Sequence, residues 1–295
     1  MTDLFRIVAV VDRFCQQHLP AQPLQRGRPH VHSATVILQL AGVQYVHGFT
    51  SEAAFFRWLA RQPHLPWKRL PSRSQYNRRV RQLPAVVKTL LPAVAQELHL
   101  NQERVRVIDS TPVPVIGYAR VQRSPRFIRG AEVNYGYCPA RHLRYFGAKL
   151  HLVTSKTGVP VTYVLGPANR HDVQQLVPLG ERLSRRTWLI GDLGYQSRRR
   201  HRHLREACGV TVVTPAKKNQ PPRSRWVRCL LRKRRGVIDS TFAQLKDHLG
   251  LERLGAKSYG GVEGRVAALL CAYAMGVLFN RRYHRSYRAI KSILL

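Results

Sequence analysis

Between residues 104 and 240 the hydrophobic period of this chain switches from the helical 3.6 to the strand period of 2, and then alternates between them. "RVRVIDS" (104–110) alternates charge with valine and ends in an acid, which reads as a strand. "GAKLHLVTS" (147–155) and "VPVTYVLG" (159–166) read as two more strands, joined as a hairpin through Thr157-Gly158. A helix from Asp172 to about Ser184 follows, then a strand "TWLIGD" (187–192), then a helix from about Ser197 to Ala207. "GVTVVTP" (209–215) is the last strand, and a helix begins near Arg235. Few chain paths satisfy the order strand, hairpin, helix, strand, helix, strand, helix.

Three meandering strands followed by β-α-β-α units build a mixed sheet flanked by helices. This is an α/β architecture of the ribonuclease-H-like kind. Residues 1–100 read differently, as an all-helical module. Ser51 caps "SEAAFFRWLARQ", and Ser72 or Ser74 caps the helix in "LPSRSQYNRRVRQL". Two short helices with a turn, the second carrying Arg73, Arg78, Arg79 and Arg81, suit a helix-turn-helix that touches DNA. The division expected is therefore 1–100 helical, 101–282 catalytic and 283–295 a basic tail.

The chain holds 50 Lys+Arg against 15 Asp+Glu, a formal net charge of +35. Such a charge repels itself unless a polyanion neutralises it, and nucleic acid is the first candidate. Five scattered cysteines without a C-x-x-C point to reduced thiols in a cytoplasmic protein. "VAALLCAYAMGVLF" (266–279) is too short to span a bilayer and reads as a buried core helix, so no membrane is expected as a partner.

In so basic a chain the acids stand out. "VIDST" occurs twice, at Val107–Thr111 and Val237–Thr241. Asp109 ends the first strand, Asp192 ends the strand after the hairpin and first helix, and Asp239 falls in the first turns of the last helix. The first and fourth strands are neighbours in this topology, so the three acids are expected to converge. Converging carboxylates repel one another unless divalent cations sit between them. Mg²⁺ (or Mn²⁺) suits such oxygen ligands, and two ions about 4 Å apart can hold the attacking and leaving oxygens of a phosphoryl transfer. Asp172 in "NRHD" reads as a helix N-cap, and Glu252 as a weaker candidate for the third acid.

Three blocks together resemble the DDE transposases of bacterial insertion sequences: "VIDSTPVPV", "LIGDLGYQS" and "RRGVIDSTFAQLKDHLGLERLGAKS". Gly191, Gly194 and Tyr195 look like that family's D-x-G-Y turn. Asp192 lies 83 residues after Asp109, and Asp239 lies 47 after Asp192. Many relatives carry Y-x2-R-x3-E-x6-K around the third acid. Here Arg235 and Lys246 match the R and K, Arg232 stands at the tyrosine and Asp239 at the glutamate. The resemblance implies catalytic, metal-holding Asp109, Asp192 and Asp239, with Arg235 and Lys246 beside the DNA. The function it implies is metal-dependent strand cleavage and strand transfer at element ends. The alternatives are a nuclease of the same fold without joining activity and a non-catalytic nucleic-acid-binding protein.

The charge clusters give the expected phosphate track. Arg120, Arg123, Arg126 and Arg129 recur every third residue, and Ala207–Ile238 holds no acid but carries Lys217, Lys218 and seven arginines or lysines more. Trp226 lies among them and suits stacking on an unpaired base. The partners expected are terminal inverted repeats and target DNA, bound by a homodimer at the nucleoid.

Overall fold

The computed structural model describes residues 2–19, 32–123 and 132–294. It divides into two compact units, Met1–Val94 with Gln244–Leu295, and Ala95–Ala243.

The first unit is helical. Helices α1 (Thr2–His18), α2 (Ala34–Val46), α3 (Glu52–Leu59), α4 (Arg73–Val80) and α5 (Leu83–Glu97) precede the sheet in the chain, and α9 (Tyr259–Arg282) follows it. Ser51 and Ser72, expected as caps, do that work: Ser51 accepts a backbone N–H at the start of α3, and Ser72 forms a full capping box with Gln75 at the start of α4. Ser33 caps α2 in the same way. Helix α9 is long and apolar enough to cross a membrane by length and composition. Here it is the core of this unit, buried without a break from Val266 to Asn280 and packed against α1 and α2. At Gly264 it runs so close to the end of α4 that an added Cβ would lie 2.5 Å from the Val80 carbonyl oxygen. Glu52 ties three of these helices together. It accepts from Arg265 on α9 at 2.7 Å and from Asn77 on α4 at 2.9 Å. Ile290 and Ile293, in a short 3-10 turn near the C-terminus, are buried, and Ile290 rests on α9 at Gly276.

The second unit carries a six-stranded mixed sheet: β1 (Val105–Ile116), β2 (Asn134–Cys138), β3 (Leu143–Ser155), β4 (Pro160–Pro167), β5 (Trp188–Ile190) and β6 (Thr211–Val213). Strands β1, β3 and β4 form an antiparallel meander, and β5 and β6 run parallel to β1 on its other side. The spatial order β4-β3-β1-β5-β6 is that of a ribonuclease-H-like sheet, with β2 added along the first part of β3. Helices α6 (Leu176–Gly180), α7 (Arg198–Cys208) and α8 (Arg225–Asp247) flank it.

Four local expectations change. The helix expected from Asp172 to Ser184 is a 3-10 turn, Asp172–Gln175, followed by only five α-helical residues. Pro178 and Gly180 explain its shortness, because neither favours a helix interior. His171, not Asp172, is the capping position, and it makes no side-chain cap. Helix α8 starts at Arg225, ten residues before the expected point. Its early turns gain their stability from packing, since Val227, Leu230 and Leu231 lie against Ile190, Val213 and Trp188. Asp239 is therefore deep within α8 rather than in its first turns.

Strand β1 sets the level of the site. It pairs with β5 only over Val105–Val107. Beyond that, one edge of β1 is open, which is where a sheet tolerates proline, and Pro112 and Pro114 follow there. Asp109 stands at this step.

Candidate active site

The parallel pairing aligns the first two acids. Val107 is registered with Ile190. Asp109 and Asp192 each lie two residues beyond that pair, so they leave neighbouring strands at the same level, and neighbouring strands are about 4.8 Å apart. Both are half-buried. Asp109 Oδ1 accepts the Ser110 N–H at 2.7 Å. Asp192 caps the 3-10 turn Leu193–Tyr195, its Oδ1 accepting the Gly194 N–H at 2.9 Å.

Tyr195 is the pivot of this site. It is fully buried, and its phenol lies within the electrostatic reach of three carboxylates. Burial, then Asp172, Asp109 and Asp192, push its pKa well above the ordinary value, against a hydrogen bond with the Ser110 hydroxyl. Its Oη is also 3.0 Å from His151 Nδ1. His151 sits opposite Ser110 in the β1–β3 pairing. Burial lowers the His151 pKa to about 4, although Asp172 pulls it upward. The imidazole is thus neutral at physiological pH. Gly191 lets the tyrosine in: a Cβ there would fall 3.0 Å from Ile108 and 3.2 Å from the Tyr195 ring. On the far side of the turn, the Tyr195 carbonyl is 2.9 Å from His201 Nε2.

A third carboxylate borders this group, and it is Asp172. Its Oδ1 takes an ammonium hydrogen bond from Lys149 at 2.7 Å, an ion pair with both side chains about one-fifth exposed. The Gly194 main chain lies between Asp172 and Asp192. A Cβ on Gly194 would be 3.2 Å from Asp172 Oδ2 and 3.0 Å from Asp192 Oδ1. Its place in the sequence suggests only a helix cap. The better signal is on β3, where Lys149 and His151 interrupt the otherwise apolar run Tyr145–Val153, as buried polar residues do when they have partners.

Asp239 lies exposed on α8. Its helix is seated by Thr241, whose hydroxyl donates to the Gly158 carbonyl at 2.9 Å, and by the buried Ile238 and Phe242. Among the described residues, no three His, Cys, Asp or Glu side chains form a group able to hold a metal ion. The Asp109–Asp192 pair alone still fits a hard divalent cation, because Mg²⁺ commonly takes one or two carboxylates and completes its shell with water and phosphate oxygens.

The expected DNA contacts divide. Arg73 and Arg78 on α4, Arg120, Arg123, Lys217 and Lys218 are exposed. Arg79 is only partly so, with its guanidinium on Gln82 Oε1 at 2.9 Å. Trp226 is 58% exposed and packs edge-on against Trp188, ring centroids 5.2 Å apart. In the helical unit, Lys246 Nζ is 3.5 Å from Glu252 Oε1. Arg126, Arg129 and the side chain of Arg235 lie outside what is described.

A family model described as "Transposase DDE domain" matches residues 100–275. A curated protein of Burkholderia cepacia, assigned as a transposase for insertion sequence element IS402, is 30% identical over 136 residues, 42% of this chain and 61% of that protein. The chain thus spans about three-fifths of the length of that relative. No solved structure gives a significant match.

Proposed function

The chain belongs to the DDE transposase family, and from that premise we propose that it is an insertion-sequence transposase that cleaves DNA strands at element ends and joins them to target DNA. The observation that carries the reading is the parallel register of Val107 with Ile190, which leaves Asp109 on β1 and Asp192 just past the end of β5 each two residues beyond that pair. Transposases of this family generally use divalent metals. We propose Mg²⁺ or Mn²⁺, two ions, held by Asp109 and Asp192 with Asp239 as the third acid. Bound there, such an ion neutralises phosphate charge and lowers the pKa of an attacking water or 3′-hydroxyl.

The chain's own residues then have separate tasks. Tyr195, braced by His151 and Ser110, fixes the turn that carries Asp192. Lys149 neutralises Asp172 and so limits the negative charge that an incoming phosphate meets. Arg120, Arg123, Lys217 and Lys218 neutralise DNA phosphates. Arg235 and Lys246 flank the third acid in the family pattern, Arg73, Arg78 and Arg79 serve the helical module, and Trp226 stacks on an unpaired base. The partners proposed are terminal inverted repeats and target DNA, with a homodimer working on the nucleoid in the cytoplasm.

The test uses Asp109→Asn and Asp192→Asn with labelled duplexes taken from the DNA that flanks the gene. Cleavage and strand transfer should both vanish while duplex binding persists. Strand transfer from pre-cleaved ends surviving in either variant would falsify the assignment.

A further inference from the structure

A concavity of about 740 Å³ lies in the sheet unit, against the acid site. Its inner wall includes Gly194, whose N–H is bonded to Asp192, and Asp172. Its outer wall is aromatic. Tyr118, Tyr135 and Tyr137 are 48%, 44% and 54% exposed, and they are three of seven large hydrophobic side chains left exposed among the described residues. So strong a concentration at one place, in a chain this polar, asks for an occupant.

The local structure shows how the tyrosines are presented. Strand β2 is "NYGYC", with Tyr135 and Tyr137 on one face by the strand period and Gly136 on the other. A Cβ at Gly136 would lie 2.7 Å from both Ala168 and the Tyr145 ring, so only glycine lets β2 lie this close. Tyr135 stands opposite Phe146 in the β2–β3 pairing, with rings edge-to-face at 5.0 Å, and Tyr118 packs edge-on to Tyr135 at 5.3 Å. These contacts hold the phenol rings in place before anything binds. Tyr137 Oη is 3.4 Å from His142 Nδ1. Arg144 and Arg170 line the same concavity and are exposed. Among the described lining residues the one acid, Asp172, is already paired with Lys149.

Exposed aromatic faces beside cations match the chemistry of an unpaired polynucleotide strand. Bases stack on the rings without regard to sequence, and phosphates meet the guanidinium groups. A paired duplex keeps its bases stacked inward and cannot offer them. The volume falls in the range of pockets that enclose a small molecule and so admits one or two unstacked nucleotides. We infer that this concavity is a single-stranded DNA subsite, taking unpaired nucleotides next to the phosphate that reacts at Asp109 and Asp192. The inference rests on the transposase reading for its location, but its ligand preference is measured without any reaction.

The experiment uses the full chain, a fluorescein-labelled 12-nucleotide oligothymidylate and a labelled 12-base-pair duplex, at 150 mM salt without divalent metal. The double variant Tyr135→Ala/Tyr137→Ala should weaken oligothymidylate binding by about ten- to a hundredfold, with duplex affinity within twofold. Tyr135→Phe/Tyr137→Phe should behave as the parent, since the stacking face remains. Tyr137→Trp supplies a reading that does not depend on the alanine variant folding: its added fluorescence should be quenched by unlabelled oligothymidylate and not by unlabelled duplex. Equal losses for both DNAs, no loss for either, or indole fluorescence that oligothymidylate leaves unquenched in the Tyr137→Trp variant would overturn the subsite. Absence of cleavage with the single-strand preference intact would instead count against the transposase reading alone.

Discussion

Acidification should unseat β3 through His151. The imidazole is buried beside Tyr195, and its pKa is held at about 4 against an ordinary 6.5. The unfolded chain therefore takes up this proton as pH falls through 6.5, while the folded chain resists until about 4. Because the unfolded state binds more protons across that interval, stability falls as pH drops. Each factor of ten is worth about 1.4 kcal/mol, so the whole interval amounts to roughly 3 kcal/mol. The contribution is complete above pH 6.5 and gone by about pH 4. The groups facing the ring set the size of the effect: Asp172 favours the proton, whereas Lys149 and burial oppose it. The assay is native-state hydrogen exchange at the β3 amides from about pH 7.5 to 4, which reports this unit by itself, on the parent and on His151→Gln. Glutamine can still bond the Tyr195 hydroxyl but does not titrate. The two proteins should diverge by about 3 kcal/mol over the range, the parent losing more. Parallel curves would refute the idea that a neutral His151 supports the tyrosine between the acids.

Gly264→Ala should destabilise the helical unit by about 1–3 kcal/mol, because the new methyl meets backbone at Val80 and Arg81 rather than a movable side chain; thermal melting reads it. Ser72→Ala should cost about 1 kcal/mol by removing the capping box of α4, again seen in the melt. Asp239→Glu should keep or raise strand-transfer activity, since glutamate is the residue of the family pattern at this place. A complete loss in the joining assay would mean that the shorter acid is required.

Some of this could be read along the chain and some could not. Period-2 patterns located β1, β3, β4, β5 and β6, although β3 begins at Leu143, four residues earlier than its apolar run suggested. Arg106 misled in a different way. In an alternating strand it belongs on a wet face, yet it is buried, with Glu103 and the Leu100 carbonyl as partners. Strand β2 went unseen, because five residues with a central glycine carry too little pattern to separate from a loop.

The amino-acid order alone determined the order of β1, β3, β4, β5 and β6, the serine caps of α3 and α4, and the placement of Asp109 and Asp192 behind apolar strand residues. Each of these is set by neighbours within a few positions, through hydrophobic period and capping chemistry. Only the tertiary structure decided that Asp172 pairs with Lys149, that Tyr195 is buried within the electrostatic reach of three carboxylates, and that α8 reaches back to Arg225. Those outcomes depend on groups tens of residues apart meeting in space, where burial removes water and makes a partner necessary.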